Sequence, residues 1–374
     1  MNSIPDDKDA VEDNTIINDV RSPANFKSIT FSKFKKTDAR NQFIQNMIKN
    51  KVEPACYWCA ELVCAGHFME VWEIILHYMG KHIHLGNPKL VIYLETRYQL
   101  FRETMTTGFY SNELGYRNND KVRKLFAEIV CVLSLSTRKH SFEPIKINRA
   151  EEFDMTQMPE RLKAPNMSFA EPVFQKDDPK ELYIAINEFG YHVSSETPNT
   201  MSACYWVEWV LEFGQVCKTK KTPCFCERRA FATVENKLQK DIIWLIWDSI
   251  LQVAQKREPY ILKLIQSLLT LFCIKYTTAA AKKRRYLLYF AVALLIDPVP
   301  TGVEIVAAAN KPVLQSVISN INKVYKQIQK NQESPNTDYL FNNLDSQHSI
   351  ERSMRQMEMV NSMDRSMFGG GDQR

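Results

Sequence analysis

The stretch Ala55-Cys56-Tyr57-Trp58-Cys59-Ala60-Glu61-Leu62 returns in part 148 residues later, as Ala203-Cys204-Tyr205-Trp206-Val207-Glu208-Trp209. A string of alanine, cysteine, tyrosine and tryptophan rarely recurs by chance, and ordered echoes follow it. Gly66 and Gly214 each lie eight residues beyond the tryptophan. Trp72-Glu73 is echoed by Trp247-Asp248, Leu100-Phe101 by Leu271-Phe272, and Phe126-Ala127 by Phe290-Ala291. The jump in offset from 148 to 175 places an insertion of 27 residues between Gly214 and Trp247. Two copies are too few for a capped solenoid, so the pattern predicts one helical unit duplicated into a pseudo-twofold body.

Each copy has helical spacing. Trp58, Leu62, Ala65, Met69, Trp72, Leu76, Met79 and Ile83 step by four and three, the period of one helix face, with Gly66 placed to interrupt it. Cys56, Cys59 and Val63 make the opposite face apolar too, which predicts a buried helix. Further helices are expected from Pro88 through Glu103 and over 118–135, 260–275, 280–296 and 313–332, with Trp244, Trp247, Leu251 and Ala254 beginning another. Between the copies, residues 141–200 hold six of the 16 prolines. Proline cannot donate to a helix or a central ladder, so this segment reads as an extended connector lying on the body.

The expected organisation is an acidic, disordered tail (1–25), helical repeat 1 (26–140), a Pro-rich connector (141–200), and helical repeat 2 (201–330) with a Cys/Lys-rich insertion at 215–240. A second disordered tail (331–374) carries a Met-rich amphipathic stripe. Both tails are acidic, net −4 over 1–25 and −3 over 331–374, so the chain's +5 leaves about +12 on the body. Such a body suits an anionic partner. The first 25 residues have no apolar signal-peptide core. The longest apolar run, Tyr286–Ile296, has 11 residues, short of the ~20 needed to span a bilayer. Nine cysteines, an odd number, fit free thiols in a reducing compartment.

The glycines exclude two enzyme classes. Three of the 11 are Gly369, Gly370 and Gly371, and the others never form G-x-G-x-x-G or G-x-x-x-x-G-K, the arrangements that bring backbone close to phosphates. No G-x-S-x-G occurs, and no nucleophile, base and orienting acid line up. Cys56, Cys59, Cys64, His67, His77, His82 and His84 cluster in sequence, as do Cys217, Cys224 and Cys226. Zinc, which wants four converging ligands, stays open at both groups against packed or reactive free thiols; no cofactor is otherwise implied. Glu61, Glu208 and Glu212 lie in apolar helices, where pairing with an arginine such as Arg97 or Arg123 is the expected role.

Three basic stretches could meet phosphates: Lys33, Lys35 and Lys36 among Phe31 and Phe34; Lys218, Lys220 and Lys221; and Lys282, Lys283, Arg284 and Arg285. Cations interleaved with aromatics suit single-stranded nucleic acid. In the tail, Met354, Met357, Met363 and Met367 fall on one stripe with Ile350 and Val360, the adaptable face of a helix that folds on a partner.

Arg21-Ser22-Pro23, Phe26-Lys27 and Thr30-Phe31-Ser32 combine with Ala55–Leu62, with His82-Ile83-His84-Leu85-Gly86-Asn87-Pro88-Lys89-Leu90 and with Ala203–Trp209. Together they resemble a conserved protein group of nucleocytoplasmic large DNA viruses, of the algal-virus and mimivirus-like lineages. The resemblance covers most of residues 21–297 and carries over no catalytic residue. It implies a viral setting: host cytoplasm, viral factory or virion. The expectation is therefore an all-α, non-enzymatic protein acting by contacts with viral protein partners in virion assembly or as a minor virion component. The alternative is a basic nucleic-acid-binding factor in viral replication or transcription.

Overall fold

The computed structural model describes residues 15–108, 113–149, 153, 161–194, 196–333 and 355. The fold is all-α, with 65% of the chain helical. Among the described residues the β structure is one isolated bridge, Ile29 to Lys35. Met354, Met357, Met363 and Met367 lie outside the described residues.

The chain divides into two compact units. The larger contains Met1–Ile17 and Ser22–Asn331. Its α-helices are α1 (Lys36–Ile48), α2 (Val52–Cys64), α3 (Phe68–Tyr78), α4 (Leu90–Thr107), α5 (Asp120–Leu135), α6 (Tyr183–Ser194), α7 (Thr200–Lys220), α8 (Ile243–Ala254), α9 (Pro259–Phe272), α10 (Thr278–Lys283), α11 (Arg285–Ile296) and α12 (Lys311–Gln329). The smaller unit contains Asn18–Arg21 and Gln332–Arg374. In it Arg21 grips Asp19 at 2.6 Å, and Asp19 accepts the backbone N–H of Glu333 at 2.8 Å.

The apolar stripe from Trp58 to Ile83 breaks where glycine stands. Gly66 takes φ +77°, a left-handed conformation that glycine adopts without strain. α2 ends at Cys64, α3 begins at Phe68, and a π-turn over Met79–Ile83 follows. Gly214 behaves differently, because α7 runs through it to Lys220. The long run expected over 280–296 is cut by Arg284 into α10 and α11.

Two differences from the sequence expectation stand out. The segment read as an extended connector contains α6, which fits the proline-free window between Pro179 and Pro198 and buries Ala185, Ile186, Phe189 and Val193. α1 was not expected; its buried face is a single line, Ala39, Phe43 and Met47, among polar residues. Order also begins inside the expected N-terminal tail: Ile17 is buried and its N–H donates to Asn118 Oδ1 at 2.9 Å.

Packing joins helices in two similar sets. α2 lies on α1 and α5, α1 also touches α3, and α4 packs on α5; in the second set α7 lies on α6 and α11, α6 also touches α8, and α9 packs on α11. α4 and α9 meet each other directly. At the centre of the first set Trp72 contacts Phe101 and Phe126 at ring separations of 5.8 and 5.9 Å. In the second, Trp247 contacts Phe272 at 5.3 Å. Such pairs add directional contacts to the area they bury. α12 covers α2 and α5, inserting a fully buried Tyr325 under the Arg123 guanidinium at 4.1 Å.

Two arginines carry charge into this interior. Arg229 is gripped by Asp178 at 2.6 Å and Asp248 at 2.8 Å. Arg284 pairs with Glu73 and donates to the Phe272 carbonyl at 2.5 Å. The two sites differ in what removal leaves behind. Asp178 is shut off from solvent, whereas Glu73 keeps about a fifth of its side chain exposed. Arg229→Ala is expected to cost about 3–5 kcal/mol, because it strands a buried carboxylate. Arg284→Ala should cost less, about 1–3 kcal/mol. Urea denaturation of both variants checks the order, and equal losses would contradict it.

Candidate functional site

The three basic stretches meet different fates. Of the third, Arg284 is buried in its pair with Glu73, Arg285 holds Glu208 at 3.0 Å, and Lys282 holds Glu212 at 3.1 Å; Lys283 is exposed. Most of that charge is thus neutralised inside the protein. The expected partners of the acids shift accordingly. Arg97 binds Glu128 at 2.7 Å, and Arg123 donates to Thr15, Asn118 and the Arg117 carbonyl. Glu212 also takes Arg149 at 2.5 Å.

The first stretch forms a projecting turn. The Ile29–Lys35 bridge closes it, the Phe34 carbonyl accepts the Thr30 N–H at 2.8 Å, and Lys33 sits at φ +66°. Two buried groups root the turn. Phe31 is fully buried against Phe26, with ring centroids 6.0 Å apart. The Glu61 carboxylate on α2 accepts the Ser32 N–H at 3.0 Å and its hydroxyl at 2.5 Å. His67 Nε2 reaches the Ile29 carbonyl at 2.9 Å. Phe34, by contrast, is 42% exposed and meets half-buried Trp58 edge to face at 5.2 Å, with Tyr57 beyond. Lys33 and Lys35 are exposed on either side, and Lys36 is half-buried. Trp58 was read as part of a core stripe; its role as a surface platform depends on Phe34, 24 residues away, which sequence spacing does not reveal.

The cysteine and histidine cluster disperses. Cys56, Cys59 and Cys64 are buried, and Tyr325 of α12 lies in their electrostatic neighbourhood. His84 stacks on Phe290 at 4.8 Å, and His82 Nδ1 meets His140 Nδ1 at 3.2 Å. Among the described residues no three of His, Cys, Asp and Glu converge as metal ligands. Burial pushes the Cys56 thiol up to about 12 and the Cys131 thiol to about 11. A thiol held protonated is a poor nucleophile. Tyr57 is also pushed up to about 12, first by burial and then by the Glu61 charge.

The second stretch lies on the last turn of α7, with Lys218, Lys220 and Lys221 exposed. Here the segment that follows Lys221 folds back over the helix. Lys221 turns left-handed at φ 55°, and the Cys226 and Arg229 N–H groups donate to the Lys240 and Gln239 carbonyls at 2.9 and 3.0 Å. The fold-back leaves a cavity of about 350 Å³ between α7, the start of α8 and α10. Cys217 and Cys224 both line it, neighbouring one another through their thiols. Cys226 is apart, its thiol directed at the Asp241 carbonyl at 3.2 Å.

No family model, no curated protein and no solved structure matches the chain.

The buried histidines give this region a pH dependence. Burial, reinforced by nearby cations or histidines, lowers His77 and His82 to about 4, and burial lowers His84 likewise. An unfolded histidine titrates near ~6.5, so between those values the unfolded chain binds more protons and folding loses free energy. Their stabilisation is complete above about pH 6.5 and is lost as pH falls toward 4. The urea midpoint is expected to fall between about pH 7 and 5. It should fall less in a His77→Gln, His82→Gln double variant, and an identical fall in the two proteins would refute the assignment.

Proposed function

We propose that this protein is a non-enzymatic interaction protein that acts through protein–protein contacts, as a virion assembly factor or minor virion component. The observation that carries the reading is the rooted turn at Lys33–Lys35. It holds Phe34 and Trp58 at the surface, on an anchor fixed by Phe31 and Glu61. Aromatic anchors ringed by polar groups are the features that dominate protein interfaces. The lysines beside them favour a partner surface with acidic residues around an apolar centre.

A non-enzymatic role fits how the carboxylate side chains are used. Glu188 accepts the backbone N–H groups of Lys163 and Ala164 at 2.9 and 3.0 Å, and Glu208 accepts from the Tyr289 hydroxyl at 2.7 Å. These carboxylates hold loops and helices together. The resemblance of residues 21–297 to the large-DNA-virus group supports the viral setting, in host cytoplasm, viral factory or virion. Duplication of one helical unit is part of the same proposal. Its support is the matched packing of α1–α5 with α6–α9 and α11, together with the equivalent burial of Trp72 and Trp247.

A second reading, a nucleic-acid-binding accessory factor, is favoured by one detail. Lys33 and Lys35 flank an exposed aromatic ring on which a base could stack. One experiment separates the two. With a photo-crosslinking phenylalanine at position 34, the full chain in infected-cell extract is expected to crosslink to protein, and the adduct should persist as salt is raised. Phe34→Ala should weaken that association by about tenfold or more, as for an anchor residue. Crosslinking to nucleic acid, with affinity falling steeply in salt, would put the second reading first.

A further inference from the structure

The cleft beside α7 encloses about 350 Å³ and is open to solvent on its lysine-bearing side. It falls within the roughly 300–1,000 Å³ of small-molecule pockets. Its walls divide by chemistry. One face of α7 supplies Val210, Leu211 and Gly214, and Ile242 and Ile243 stand opposite. At Gly214 the walls close in, since a Cβ there would come within 3.2 Å of Ile242 Cδ1. Lys218, Lys237 and Lys282 reach the same cavity from three different elements, and Phe225, 63% exposed, also lines it.

The cations are unequally committed. Lys282 is held by Glu212. Lys237 pairs with Glu235 where both side chains are largely in water, a pairing worth little. The acid that lines the cavity, Asp241, is occupied by the Ile243 N–H at 3.2 Å and the Tyr276 hydroxyl at 2.9 Å. Aliphatic walls bordered by lysines therefore call for a ligand with an apolar body and one anionic head. We propose that this cavity binds a fatty-acid-type carboxylate. Its chain would lie between α7 and the start of α8, and its head would meet Lys218 and Lys237. Lysine supplies compact point charges on flexible stems, which can converge on a single anionic head.

The test uses the full chain and dansyl-undecanoic acid as the fluorescent probe, displaced by octanoate, decanoate, dodecanoate and dodecanol. Displacement should tighten with carboxylate chain length, by on the order of tenfold for each two methylenes added while the cavity has room. Dodecanol should compete at least about tenfold more weakly than dodecanoate, reflecting the lost ion pair. Lys218→Glu with Lys237→Glu should weaken dodecanoate by about tenfold or more. Gly214→Leu should abolish binding by filling the space. Cys224 adds a readout independent of the probe. It is half-exposed while the other eight cysteines are buried, so dodecanoate should slow its alkylation by maleimide. Three outcomes would overturn the proposal: no displacement by any carboxylate, equal competition by dodecanol, or dodecanoate binding unchanged in both the charge-reversed and Gly214→Leu proteins while each keeps its helical circular dichroism.

Discussion

A guanidinium stays charged at any pH a protein meets, so burying one forces the fold to bring acceptors to it, and at Arg284 and Arg229 those acceptors include acids. This constraint ties the second half of the chain together. Arg284, between α10 and α11, draws Glu73 from α3, 211 residues earlier, and so fixes the two α10–α11 helices against the first half. Arg229 gathers Asp178 from before α6 and Asp248 from α8, clamping the segment between α7 and α8. The placement of α10 then decides what happens to its neighbours: Lys282 turns to Glu212, and Arg285 to Glu208. Of a run of four basic residues that reads as a phosphate surface, three thus become ion pairs within the fold, and Lys283 alone of the four faces solvent fully. Replacing such pairs with apolar residues can be neutral for stability. Their contribution here is positional, because they set which helix meets which.

How much of this was legible in the sequence depends on the range of the interaction. The buried helices were legible because they repeat aromatic and aliphatic residues at helical period, as Trp72, Leu76 and Met79 do. The break at Gly66 was legible because backbone conformation is local. α6 was obscured by the prolines on both sides of it, although the window between them is clear. α1 was obscured because its three buried residues are a weak signal among lysines, asparagines and glutamines. The site was less legible still. Lys33, Phe34 and Lys35 were singled out as a basic, aromatic stretch, but nothing local pairs Phe34 with Trp58 or assigns Glu61 to Ser32. Likewise Lys218 and Lys282 could be named as cations, whereas only the folded chain brings them to one cavity with Ile242.

The two surface features work by different physics. The Lys33–Lys35 turn is held from beneath by a charged acceptor and a buried ring, so its aromatic residue is presented with little freedom to lose on contact. That lowers the entropic cost of association. The cavity beside α7 is walled by aliphatic side chains, and the Cys217 and Cys224 thiols line it like small apolar groups. One site offers shape outward, the other offers space inward.

The position of α12 has a temporal consequence. Tyr325 seals the cysteine-bearing face of α2 and roofs Arg123, yet it stands near the end of the chain, and Thr15 at the other end supplies Arg123 with two acceptors. During synthesis, therefore, the first five helices emerge with that face uncovered, and 175 further residues separate the end of α5 from the start of their lid. Contacts so distant in sequence slow folding, and exposed apolar surface on a nascent chain is a hazard. Any shield for α2 during synthesis must therefore come from elsewhere until α12 is made.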